Sequence, residues 1–287
     1  MNTLYDEMKD QFRKRDNAVV KLIVINVIIY LIDLILEIIS VISRTHFYDS
    51  LLIWQALPAN IQDFIYKPWT LISYFFVHET PMPFHILFNM LGLYFFGRII
   101  QDMIGSRRVM SLYILGGLTG GLIYLLLFNT VPYFVDQNSH ILVGASASVF
   151  AIAVAAATLV PHYSFHLFFF GSVRIIYIVG FYIVVSMAGA IGNNAGGSLA
   201  HLGGALLGYF FIVWLRKGTD IGRPISRIMD IFNGRGHLKV SFRRKGVDEN
   251  YAPNEAEIDN ILDKINRSGY ESLTKDEKMK LFKASQK

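Results

Sequence analysis

Residues 18–42 read AVVKLIVINVIIYLIDLILEIISVI, in which Lys21, Asp33 and Glu37 are the charged positions. A helix needs about 17–25 apolar residues to cross a bilayer, and this segment supplies them. It is too long for the apolar core of a signal peptide. Asp6, Glu7 and Asp10 ahead of it do not suit a mitochondrial targeting peptide. Outward from this stretch the same character recurs. Residues 17–218 carry 16 of the chain's 49 Asp, Glu, Lys and Arg, against 25 in residues 219–287 and 8 in residues 1–16. With 53% hydrophobic residues, 17% charged residues and a mean hydropathy of +0.40, this is no ordinary soluble domain. The chain has no cysteine, which excludes disulfides, a thiol nucleophile and any Cys-ligated zinc or iron–sulfur site.

Six spans are predicted, roughly at 18–42, 84–103, 109–128, 144–160, 174–191 and 199–215. Turn residues separate the later ones: Gly105-Ser106, Asn129 to Pro132, Pro161 and Asn193-Asn194. Lys9, Arg13, Lys14, Arg15, Arg98, Arg107, Arg108, Arg174, Arg216 and Lys217 fall on one side if both termini are cytoplasmic, whereas 129–143 and 192–198 contain no Lys or Arg. The reading is therefore an all-α membrane protein. It comprises a cytoplasmic N-terminal segment (1–17), a six-span domain (18–217) and a cytoplasmic tail (218–287). A bacterial inner membrane is the expected setting. The 43–83 segment, rich in Trp54, Phe64, Tyr66, Trp69, Phe75 and Phe76, suits a loop lying in the membrane interface. In the tail, Ile258, Ile261, Leu262 and Ile265 follow helical spacing, Gly269 ends that helix, and Thr274 with Glu277 caps another. A short helical hairpin near 256–285 is expected.

Polar side chains inside spans are costly and mark functional sites, with a packing hydrogen bond as the plain alternative. Span 1 carries Asn26, Asp33 and Glu37. The two acids sit about 18 and 24 Å along the helix from Lys21, toward the outer boundary where water is in reach. A proton or ion pathway is the sharper alternative for them. Span 2 opens with His85 and, four residues on and on the same face, Asn89. Span 4 opens with Gly144-Ala145-Ser146-Ala147-Ser148, and span 6 contains Ala200-His201. Ala147, Ala151 and Ala155 form a ridge of small residues on span 4, as Ala200, Gly204 and Gly208 do on span 6, so the two helices can approach closely. Spans 2, 4 and 6 run in the same direction, which brings His85, Asn89, Ser146 and His201 to one depth near the outer surface.

A neutral histidine can take a serine hydroxyl's proton and activate it toward a carbonyl. The Ser146 backbone N–H at a helix start, the Asn89 amide and His85 can donate to the oxyanion that forms. Asp136 is the one acid in the loop ahead of Ser146, and a Ser–His dyad is preferred to a triad. Ser148 is the rival nucleophile. It points about 200° away from Ser146 on a helix, and helix direction alone does not choose between them. A metal bound by His78, His85 and His201 is a competing use of the histidines.

His85-Ile-Leu-Phe-Asn89, Gly144-Ala-Ser146-Ala147 and Ala200-His201-Leu-Gly-Gly204 with Gly208 resemble the HxxxN, GxSx and AHxxGxxxG motifs of the rhomboid family of intramembrane serine proteases, in the family's order on spans 2, 4 and 6. The resemblance covers about residues 17–217. It implies a rhomboid-like six-helix bundle, with Ser146 as nucleophile, His201 as general base, and Asn89 with His85 at the oxyanion. It calls for no cofactor and no metal. The implied partners are single-span transmembrane protein substrates and the lipid bilayer, with no nucleic acid. A catalytically silent relative that binds membrane proteins is the alternative. The chain departs from the family pattern at Ala147 (usually Gly), Trp69-Thr70 (Trp-Arg), Gln101 (Glu) and Phe150 (often Tyr), the last being the aromatic expected to stack on the histidine. Water is expected to reach Ser146 through the 129–143 loop or past span 5, which Gly180 and the 189–192 run loosen.

Overall fold

The computed structural model describes residues 17–135, 141–168, 171–191, 194–232 and 254–284. Asp136 and the basic residues at 9–15 lie outside them. The chain forms two compact units, residues 1–236 and 237–287. In the first, α1 (Ala18–Ser43) leads through the short helices α2 (Phe47–Gln55), α3 (Ile61–Tyr66) and α4 (Thr70–Ser73) to α5 (Pro83–Ile104) and α6 (Ser106–Thr130). Then follow α7 (Pro132–Val135), α8 (Ser146–Leu159), α9 (Ile175–Ala188), α10 (Ala195–Arg216) and α11 (Arg223–Phe232). Two strand pairs interrupt the helices: β1 (Leu57–Pro58) with β2 (Ile141–Leu142), and β3 (Ser164–Leu167) with β4 (Gly171–Arg174), both antiparallel.

Helices α1, α5, α6 and α10 are long and apolar enough to cross a membrane, while α8 and α9 are apolar but have 14 residues each. At about 1.5 Å per residue, 14 residues reach about 21 Å, short of a hydrocarbon core of about 30 Å. In α8 the shortfall has a structural counterpart. Every residue from Ala147 to Ala157 is buried, and the helix is preceded by the non-helical 143–145 segment. Irregular backbone at membrane depth is tolerated where protein or a cavity surrounds it.

Small residues set the spacing at the centre. A Cβ built on Gly204 would fall on the Ala147 carbonyl oxygen, and one on Gly208 would fall on that of Ala151. The two expected ridges therefore do face each other. A third ridge joins them from α6: a Cβ on Gly120 would come within 2.6 Å of the Ala147 Cβ and 2.7 Å of the Ala200 carbonyl oxygen. The glycine pairs Gly116-Gly117 and Gly120-Gly121 thus serve two sides. Gly116 and Gly120 admit α8, while Gly117 and Gly121 admit Phe75, Leu57 and Tyr74 from the segment before α5.

The N-terminus of α1 is satisfied by its own N-cap, Asn17, and by side chains from the α5–α6 corner. Gln101 Oε1 accepts from Val19 N–H (3.2 Å), Ser106 Oγ accepts from Ala18 N–H (2.7 Å), and Asn17 Oδ1 accepts from Val20 N–H (3.3 Å). A glutamine meets that need as an acceptor without bringing a charge. Asn26 has the packing role allowed for it. Its amide donates to Tyr113 Oη (2.9 Å), whose hydroxyl in turn donates to the Phe75 carbonyl (2.7 Å).

Asp33 corrects an expectation. It does not reach water but is 1% exposed, with Gln55 of α2 donating to it at 3.4 Å. The chain turns back at Arg44 and lays α2 over that face of α1, where Tyr48 N–H donates to Ser40 Oγ. Farther along the 43–83 segment, Trp54 and Trp69 stack at 5.4 Å and both stay exposed, as does Tyr66. Exposed aromatics of this kind suit an interfacial surface.

The second unit carries α12 (Glu255–Ser268) and α13 (Lys275–Ala284). A capping box at Asn254 and Glu257 opens the first, and Gly269 at φ 79° follows it. Lys264–Glu277 and Lys280–Glu257 pairs, each at 2.9 Å, join the two helices.

Candidate active site

Ser146 is the first residue of α8, and three contacts fix the turn before it. Gly144 N–H donates to the Tyr74 carbonyl (3.0 Å), Ala145 N–H donates to His78 Nε2 (3.4 Å), and β2 pairs with β1 just upstream. Gly144 has φ +122°, a conformation open to glycine, and a Cβ there would come within 2.9 Å of His85 Nε2. The same glycine therefore makes the turn and lets His85 approach the serine.

His201 Nε2 lies 2.6 Å from Ser146 Oγ. The ring is held flat against Phe150, one turn along α8 from Ser146, with centroids 4.4 Å apart and planes within 6°. Phenylalanine thus supplies the stacking surface without tyrosine's hydroxyl. The closeness of α8 and α10 that permits this contact comes from Ala147 and Gly204 directly behind it.

Asn89 is buried on α5, and its side-chain Nδ2 has no hydrogen-bond partner among the described residues. His85 lies one turn earlier on the same helix, edge-on to His78 at 5.4 Å. His85, Asn89, Ser146, Phe150, Tyr182 and His201 line one cavity of about 560 Å³. The structure thus brings together all four residues singled out from the sequence. Ser148 is not among them: it is fully buried, its hydroxyl has no partner among the described residues, and its backbone faces Gly116 of α6.

One participant was not foreseen. Ser186 of α9 places its hydroxyl oxygen 2.9 Å from His201 Nδ1. A lone serine in the apolar stretch IIYIVGFYIVVSMA belongs to no motif, and no feature of the sequence pairs it with α10.

A family model described as the rhomboid domain matches residues 66–218, the stretch from the end of α3 to just past α10. The chain belongs to the rhomboid family. Two relatives agree with that placement. RHOMBOID-like protein 12, mitochondrial, of Arabidopsis thaliana is 34% identical over 147 residues, covering 47% of this chain and 43% of the relative. Rhomboid protein 1, mitochondrial, of Saccharomyces cerevisiae is 26% identical over 167 residues, covering 55% of this chain and 45% of the relative. The chain thus spans less than half the length of either. Residues 247–287 match a separate family of unknown function. The rhomboid domain is an integral membrane fold. The names of both relatives say mitochondrial, so the comparisons lend no support to the bacterial inner membrane expected from the sequence.

Proposed function

We propose that this rhomboid protein is an intramembrane serine endopeptidase that hydrolyses peptide bonds in or near the spans of single-span membrane proteins. The observation that carries the proposal is the 2.6 Å approach of Ser146 Oγ to His201 Nε2 inside a cavity. As the serine oxygen attacks the scissile carbonyl carbon, its proton passes to His201 Nε2. The oxyanion that forms faces the Ser146 backbone N–H, which as a first-turn donor has no intrahelical partner, and the Asn89 amide. His85, packed on Gly144, is placed to add a third donor. The imidazolium then gives its proton to the departing amine, which leaves an acyl-serine. Water hydrolyses that ester with His201 again as base. The irregular 143–145 backbone gives Ser146 its place at the cavity rather than within a lipid-facing helix. On this reading the lipid bilayer holds both enzyme and substrate, no metal or cofactor takes part, and nucleic acid has no role. Both termini lie on the side of the basic clusters.

A fluorophosphonate phosphonylates activated serines, so the folded protein in detergent is expected to take up one label, mapped to Ser146 by mass spectrometry. A label on another serine, or none, would overturn the assignment. Asn89→Ala is expected to lower kcat on a reconstituted single-span substrate by about a hundredfold or more, the range for removing one oxyanion donor, with KM little changed.

A further inference from the structure

Helix α9 has three buried residues, Ile175, Val179 and Ser186, and much of the rest of its surface is exposed. Its one buried polar side chain is the one that meets the histidine, with Ser186 Oγ 2.9 Å from His201 Nδ1. The meaning of that contact follows from the single proton of a neutral imidazole. If Nδ1 carries the proton, it donates to Ser186, and the Nε2 lone pair faces Ser146 Oγ ready to accept. If the Ser186 hydroxyl donated to Nδ1 instead, Nε2 would carry the proton and could not take one from Ser146. A serine in a helix can send its own proton to the carbonyl four residues back, which here is that of Tyr182, leaving its lone pairs for a donor. Phe150 fixes the plane of the ring, and a contact at Nδ1 fixes its rotation within that plane.

We propose that Ser186 is a positioning residue for His201, accepting from Nδ1–H and so holding the imidazole in the tautomer that activates Ser146. It does with a neutral hydroxyl what a carboxylate does in a three-residue arrangement. The proposal rests on the protease reading above. Once Nε2 has been protonated, the Nδ1–H bond to Ser186 also stabilises the imidazolium, so the contact acts in the transition state more than in substrate binding. α9 therefore contributes a side chain to the site, although the sequence motifs lie on three other spans.

The test uses the full-length protein reconstituted with a single-span substrate and compares Ser186→Val with Ser186→Thr. Both carry the branched shape, and threonine keeps the hydroxyl. Ser186→Val is expected to slow both fluorophosphonate labelling and kcat by about three- to tenfold, the effect of one hydrogen bond, with KM unchanged. Ser186→Thr is expected to recover most of that loss. Wild-type rates in Ser186→Val, equal loss in both variants, or a change confined to KM would each overturn the proposal. A Ser146→Ala control separates the two claims. If it labels as fast as wild type, or if wild type does not label, the protease reading fails. If labelling depends on Ser146 and is indifferent to the Ser186 hydroxyl, the positioning role alone fails.

Discussion

Ser146→Ala is expected to reduce cleavage of a reconstituted single-span membrane protein by at least about a thousandfold, while Ser148→Ala cleaves at about the wild-type rate. The two hydroxyls are two residues apart, and their surroundings differ completely. Ser146 Oγ is 2.6 Å from His201 Nε2 in the cavity wall. Ser148 Oγ is buried with no partner among the described residues. Removing a buried, unsatisfied hydroxyl costs little and can stabilise, so Ser148→Ala also serves as a folding control. Cleavage by Ser146→Ala with loss in Ser148→Ala would exchange the two roles. Loss in neither, with activity present, would point to a different nucleophile.

The second large effect is expected at Gly204. A methyl group there would fall on the Ala147 carbonyl oxygen, and backbone on both sides leaves nothing flexible to yield. α10 must shift away from α8. Overpacking of this kind costs about 1–3 kcal/mol, so Gly204→Ala should lower the melting temperature in detergent. The shift also opens the Ser146–His201 distance, and a misplacement of about 1 Å can cost about a hundredfold in rate. Gly180→Ala in α9 is the contrast. A Cβ there meets nothing within 4 Å, and alanine gains up to about 1 kcal/mol of helix propensity over glycine. Equal thermal stability for Gly204→Ala and wild type would show that the small-residue junction does not set the helix spacing.

Much of the site could be read from the chain because its residues sit at fixed intervals on helices. His85 and Asn89 share a face by spacing alone, and Ala147-Ala151 and Gly204-Gly208 mark the faces that meet. Contacts that join elements through space leave no such interval in the chain. Gly116 and Gly120 carry the same four-residue spacing as the other ridges, and the repeated glycine pairs of span 3 could have been read as a third partner. Ser186 offered no comparable signal. Serine is a common residue in apolar helices, and its importance arises from its neighbour. Asp33 was misplaced for a related reason: depth along a helix follows from residue count, but cover by α2 depends on how the chain turns at Arg44.

The sequence by itself determined that this chain carries apolar membrane helices, and that two histidines, one asparagine and a serine-bearing helix start lie at one level. Apolar length and 3.6-residue periodicity are local properties, and they survive translation into structure. The motif resemblance already favoured Ser146 over Ser148, but only the tertiary structure showed that Ser146 meets His201, that α6 wedges its glycines between α8 and α10, and that α9 reaches the imidazole through Ser186. Those outcomes depend on interaxial distances and helix rotation. These are set by the packing of side chains from distant parts of the chain, which no single stretch of sequence contains.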